Sequence, residues 1–150
     1  MTTRGPMKRA LRRISLGACI LLVGIQFWPA GRTNPPTAAG LDAPPEVTAI
    51  LRRSCFDCHS NETRWPWYAY VAPVSWWMVH DVDEGRDELN FSDWGNYEPE
   101  KRGRRSSKII EEVEEGVMPP KNYLRLHGDA QVSAAELEVL RRWVEASGSR

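Results

Sequence analysis

Cysteine is scarce in this 150-residue chain: there are three, and only Cys55 and Cys58 lie close together. That excludes a scaffold built on several disulfides. Acidic residues are missing from the first 33 positions, where Arg4, Lys8, Arg9, Arg12, Arg13 and Arg32 supply six positive charges. Over the whole chain 20 Lys+Arg balance 20 Asp+Glu, so the rest holds 14 basic and 20 acidic groups, a balance of −6. An acidic body lacks the basic face of a nucleic-acid binder, and no such partner is expected. Sustained strand alternation and internal repeats are absent. So are a nucleophile elbow, a phosphate-cradling glycine loop and a paired-carboxylate motif. A hydrophobic content of 41% is too low for a multi-span membrane protein. The length supports one domain, or one domain with a tail.

What is present begins with the N-terminus. Residues 1–13 are basic, and Ile14 to Ala30 is uncharged and mostly apolar. A positive segment before an apolar run reads as an export signal or a signal-anchor. Phe27-Trp28-Pro29-Ala30 is a poor match to a small-residue cleavage site, which favours an uncleaved transmembrane anchor with its basic side in the cytoplasm. A cleaved signal, leaving a soluble periplasmic protein, is the alternative. Leu16-Gly17-Ala18-Cys19 only loosely resembles a lipoprotein box, since the apolar run continues well past Cys19. The expected organisation is an N-terminal signal-anchor or signal peptide (1–30), a Pro/Gly-rich linker (31–45) and a body (46–150).

The body reads as all-α. Pro44-Pro45 is a helix start, followed by Val47, Ile50, Leu51, Ser54, Cys55 and Cys58 on one face. Ser75 is a candidate cap for a helix reaching about Leu89. A third helix is expected over about Glu98–Glu115, with Ile109, Val113 and Val117 as its stripe and Gly116 as its stop. Ser133-x-x-Glu136 is a capping box opening a last helix with Leu137, Leu140, Trp143 and Val144 inward.

The chemistry sits in Cys55-Phe56-Asp57-Cys58-His59. C-x-x-C-H is the attachment pattern of c-type haem. Two cysteines one helical turn apart aim both sulfurs at one porphyrin edge, and the next residue offers an imidazole to the iron. Covalent attachment suits an exported protein, in agreement with the N-terminus. Zinc would need two further ligands at finger-like spacing. A thioredoxin-like pair should lie near a βαβ pattern. A plain disulfide leaves His59 unexplained. Met118, in Gly116-Val117-Met118-Pro119-Pro120, is the candidate sixth ligand, because the prolines stiffen its loop. His80 is the runner-up and His127 follows; Met78, in an apolar helix, reads as packing.

With these residues in place the stretch from about Leu41 to Val144 resembles the small bacterial haem-binding domain family, a cytochrome c-like group. The matching strings are Cys55-x-x-Cys58-His59-Ser60, Thr63-x-Trp65-Pro66-Trp67-Tyr68, Val71-Ala72-Pro73-Val74-Ser75-Trp76-Trp77 with His80, Gly85-Arg86-x-x-Leu89-Asn90-Phe91-Ser92-x-Trp94, and Gly116-x-Met118-Pro119 with Tyr123 and His127. The resemblance implies a haem-binding, cytochrome c-like fold and leaves the physiological reaction open. Pro120 departs from the apolar residue that often follows Met-Pro in the family.

Trp65 to Val79 carries no charge. It reads as the wall of a haem crevice, as ordinary core, or as a surface resting on a membrane. Arg86 reads as a partner for a haem propionate or as part of a solvated helix face. Lys101 to Arg105, followed by the acidic Glu111–Glu115 run, could steer a redox partner or be plain solvated helix. Together these features predict a membrane-anchored periplasmic cytochrome with one haem c per chain, passing single electrons to redox partner proteins. A gas or peroxide sensor, or a peroxidase-like protein with an open sixth iron position, is the alternative.

Overall fold

The computed structural model describes residues 4–148, so the outermost residues of the expected N-terminal segment and body lie outside it. Seven α-helices follow in order: α1 Arg4–Ile25, α2 Pro45–Ser54, α3 Phe56–His59, α4 Val74–Glu88, α5 Pro99–Glu114, α6 Lys121–Leu124 and α7 Ala134–Gly148. Short 3-10 turns cover Trp67–Tyr70, Phe91–Asn96 and Gly128–Ala130. No strand occurs among the described residues, as the all-α expectation required.

The chain divides into two compact units. One holds the residues up to Arg32 together with Trp65–His80; the other holds Thr33–Arg64 and Asp81–Arg150.

In the first unit α1 is basic at its start and apolar from Ile14 to Ile25. That apolar part has 12 residues and so reaches about 18 Å, against a hydrocarbon core of about 30 Å. The helix then unwinds through i→i−3 bonds at Gln26, Phe27 and Trp28. Among the described residues no helix is long and apolar enough to cross a membrane, and the transmembrane helix expected from the sequence is not supported. The physical reason is the early stop at Ile25, before the uncharged run is used up.

The Trp65–His80 segment is tied to the foot of α1. The Gln26 side chain accepts from Ala72 N–H (2.9 Å) and donates to Ala72 O (3.1 Å). Trp76 Nε1 donates to Trp28 O (3.0 Å), and Arg32 donates to Ala69 O (3.1 Å) while lying over the Tyr70 ring. Only small residues of this segment, Ala69, Ala72 and Ser75, are fully buried. Trp67, Tyr70 and Trp77 are exposed, which removes the ordinary-core reading. Ser75 does not cap α4; it is a buried second residue of that helix, and its N–H bonds Val71 O.

The second unit packs α2, α5 and α7 around Val47, Ile50, Leu51, Ile109, Ile110, Leu140 and Trp143. An aromatic ladder runs through it: Phe56 stacks on Phe91 (5.1 Å), Phe91 meets Trp94 (5.8 Å), and Trp94 meets Trp143 (6.0 Å). Phe56 lies between the two motif cysteines in sequence, so the ladder roots that motif in the core. On α5 the inward pair is Ile109 and Ile110, with Val113 half-buried; Val117, expected inward, is exposed because the helix has already ended. The capping box of α7 forms as expected: Ser133 N–H and Oγ–H both donate to Glu136 Oε2 (2.8 Å each), and Glu136 N–H donates back to Ser133 Oγ (3.3 Å). The Pro/Gly-rich stretch before α2 carries no helix but is bound along this unit, through Ala39 N–H to Ser92 O and Gly95 N–H to Ala39 O.

Candidate functional site

The expected single helix through Cys58 is interrupted. Cys55 leaves the helical region (φ −129°) and becomes the cap of α3. Its carbonyl accepts from Cys58 N–H (3.2 Å) and His59 N–H (2.9 Å). The two thiols therefore still share one turn, now fixed by the bonds to that carbonyl. Both cysteines are free and half-buried. Burial pushes the Cys55 thiol up to about 12, and the neighbouring Cys58 adds to this. Burial likewise raises Cys58 to about 11, helped by Asp57. At neutral pH both stay protonated, which slows the thiolate exchange that would pair them.

His59 is set by α4. Its Nδ1 lies 2.7 Å from Gly85 O and 3.2 Å from Leu89 O. Carbonyl oxygens only accept, so Nδ1 carries the proton and Nε2 keeps its lone pair. Burial holds the imidazole below its ordinary value, against the pull of the two carbonyls, so the ring is neutral. A neutral ring with one nitrogen pinned as donor presents the other as a metal ligand. Gly85 also makes the approach of α4 possible. A Cβ at this position would stand 2.8 Å from Cys58 O and 3.3 Å from Cys58 Cβ.

Arg86, next on α4, departs from the solvated-face reading. It is half-buried rather than on a freely solvated face, and most of its guanidinium is committed to the protein. Its Nε donates to Ser60 O (2.8 Å), and its Nη2 reaches Thr33 O (3.0 Å), Asn34 Oδ1 (3.1 Å) and Thr63 Oγ1 (2.9 Å). It clamps the chain leaving the motif.

Met118 sits just after α5. Gly116 is left-handed (φ +67°), its N–H bonds Val113 O, and the Val117 and Met118 N–H groups both bond Glu112 O at 3.0 Å. This is a Schellman stop extended by one bond, and it fixes the backbone at Met118. Met118 is half-buried and Pro119 buried. Five residues on, Tyr123 Oη donates to Asp57 Oδ2 (3.0 Å), tying α6 to the middle of C-x-x-C-H. Burial, then the Asp57 charge, pushes the Tyr123 phenol up and keeps it a donor. Asp57 also accepts from Arg64 N–H (3.1 Å). His127 stacks on Tyr123 (4.1 Å), with Nδ1 3.2 Å from Tyr123 O. His80 is exposed and belongs to the first unit, whereas Cys55, Cys58, His59 and Met118 all belong to the second.

The residues fit a haem. Two free thiols share a turn, an imidazole is held neutral with Nε2 available, and a thioether sits on a fixed loop linked to the same turn through Tyr123. Among the described residues no group of three or more His, Cys, Asp and Glu side chains comes together as a metal site. Sequence reasoning missed the acceptor role of Gly85 and Leu89 and the Tyr123–Asp57 bond. A glycine inside the charged helix string Asp83-Glu84-Gly85-Arg86-Asp87-Glu88 was the available signal of a close approach.

Comparison with known proteins agrees. The family model described as "Haem-binding domain" matches residues 20–146, and the chain belongs to that family. The match reaches further toward the N-terminus than the resemblance read from Leu41 onward, and takes in the last six residues of α1. No curated protein and no solved structure matches.

Proposed function

We propose that this haem-binding protein is a monohaem c-type cytochrome that passes single electrons between partner proteins on the periplasmic side of a membrane, attached there by its N-terminal segment. Cys55 and Cys58 would hold one haem as thioethers, and His59 and Met118 would ligate its iron. When bound, the haem supplies a one-electron iron couple. The chain's own residues do the rest. Gly85 O accepts a short hydrogen bond from His59 Nδ1–H and so raises the basicity of Nε2. The stacked Phe56 and Phe91 help exclude water from the core next to the attachment turn. The Schellman stop fixes the backbone that carries Met118. No nucleophile or general acid–base pair is needed for such a role.

The observation that carries this reading is the pinned tautomer of His59 beside two free thiols. Optical spectra of the exported, purified chain, oxidised and reduced, test it together with its mass after denaturation. A haem mass that stays with the denatured polypeptide and a ferric thioether-to-iron band are expected. Colourless protein, or pigment released on denaturation, overturns it.

A further inference from the structure

The first unit leaves large apolar side chains in the open. On α1, Ile14, Leu16, Ile20, Leu21, Leu22 and Val23 are between 53% and 69% exposed. At about 100° per residue these positions lie on every side of the helix. A partner protein covers one face of a helix; apolar residues all round call for an apolar medium. Lys8, Arg9, Arg12 and Arg13 mark one end of this stretch, and Phe27 and Trp28, 83% and 75% exposed, mark the other. Charge at one end and aromatic rings at the other is the pattern of a lipid-facing helix.

Trp65–His80 is fastened to that aromatic end. Its backbone is held by Gln26, Arg32 and Trp28 O, as described above. Those bonds use the polar groups and leave the rings outside: Trp67 is 78% exposed, and Tyr70 and Trp77 60% each. No charge occurs from Trp65 to Val79. Trp and Tyr combine an apolar body with a polar tip, and they concentrate at the headgroup level of bilayers.

We infer that Trp67, Tyr70 and Trp77, with Phe27 and Trp28, form a collar that seats in the lipid headgroup layer around the foot of α1. The haem-binding chain then contacts the membrane through two sequence segments. This rests on the membrane attachment proposed above, and it adds a surface that the attachment does not require.

The test uses the full-length holoprotein in phosphatidylcholine vesicles with a minority of phosphatidylglycerol. An environment-sensitive fluorophore is attached at Cys19 in the natural chain, and at Trp67→Cys or Lys108→Cys in a Cys19→Ser background. Each is quenched with aqueous iodide and with doxyl-labelled lipid. A mass spectrum confirms one label per chain, since Cys55 and Cys58 carry haem. The collar predicts that the label at 67 is quenched by doxyl lipid and is several-fold less sensitive to iodide than the label at 108, which sits on the exposed face of α5. Iodide quenching at 67 equal to that at 108, with Cys19 buried in lipid, overturns the collar and leaves the attachment standing. Shielding from both quenchers at 67 means a protein contact, such as a second copy, and also overturns it. If the labels at 19 and 67 are both open to iodide, attachment and collar fall together.

Discussion

Gly85→Ala offers a test of the site in which two effects of known sign compete. A methyl group here would lie 2.8 Å from Cys58 O and 3.3 Å from Cys58 C. The approach to the oxygen is about half an ångström inside ordinary contact, and both atoms are backbone and cannot swing away. Overpacking of this kind costs about 1–3 kcal/mol. Against it stands the helix preference of alanine, a gain of about 1 kcal/mol in a helix interior. The retreat of α4 also stretches the 2.7 Å bond from His59 Nδ1 to Gly85 O, a net loss of up to about 1 kcal/mol. The net is a destabilisation of about 0–3 kcal/mol centred near 1.5, which corresponds to a melting point lower by roughly 6–12 °C at that centre for a body of this size.

The control is Gly103→Ala on α5, where an added Cβ meets nothing within 4 Å. There only the propensity term acts, and the melting point should rise by about 4–8 °C. Thermal melts of the two holoproteins, followed by far-ultraviolet circular dichroism, read both numbers. The same chemical change should move stability in opposite directions. If both variants gain stability alike, α4 does not press on the C-x-x-C-H turn as the structure shows it, and the account of His59 goes with it.

Met118→Ala should lower the reduction potential and let carbon monoxide bind the reduced iron; an unchanged thioether-to-iron band in the ferric spectrum would show that another residue holds the sixth position. Arg86→Lys cannot reproduce a clamp whose Nε and Nη2 serve four acceptors, and urea titration should show a loss of about 2 kcal/mol; an unchanged midpoint counts against the clamp. Glu136 is drawn down from 4.5 to about 2 by its hydrogen bonds to Arg53 and Ser133. A folded-state value below the unfolded one means stability that is present above about pH 4.5 and lost as pH falls toward about 2. Glu136→Gln should therefore be less stable than the natural chain at pH 7 by about 1–2 kcal/mol after allowance for solvent screening, with the gap closing across that window; a gap that stays constant with pH would remove the ion pair from the explanation.

The parts legible in sequence are those whose partners are near in the chain. C-x-x-C-H, the Ser133/Glu136 box and the Gly116 stop are each completed within a few residues, so residue type and spacing suffice to specify them. Apolar periodicity likewise placed Val47, Ile50, Leu51, Leu140 and Trp143 inside. What escaped reading is held at a distance. His59 finds Gly85 O across 26 positions, Tyr123 finds Asp57 across 66, and Arg53 finds Glu136 across 83. Asp57 and Glu136 are charged, and the plain expectation for a charged side chain is a solvated surface, while Gly85 lies inside a charged string. The break at Cys55 escaped for a different reason: the apolar stripe continues through it, and the periodicity alone cannot show one residue leaving the helical region. The short reach of α1 is the same problem at the other end, because Gln26, Phe27 and Trp28 extend an apolar run that the backbone has already stopped following.

These long-range ties converge on one turn. Ahead of Cys55, Arg53 is held by Glu136 at 2.6 Å. Within the motif, Phe56 is stacked in the core, Asp57 is held by Tyr123 and Arg64, and His59 by the α4 carbonyls. Behind it, Ser60 O is held by Arg86, and Ser60 Oγ–H is turned back to Phe56 O at 2.7 Å. Every residue from 53 to 60 that is not a cysteine thus has a partner, Ser54 Oγ accepting from Arg53 Nη2 at 3.4 Å, and no hydrogen bond is made by either thiol among the described residues. A turn anchored on both sides, with only its sulfurs uncommitted, presents the same geometry with each folding event. For the covalently attached haem proposed above, that is where preorganisation would have most effect: ordering costs are met by the fold, and the strength of the attachment is not spent on arranging the peptide.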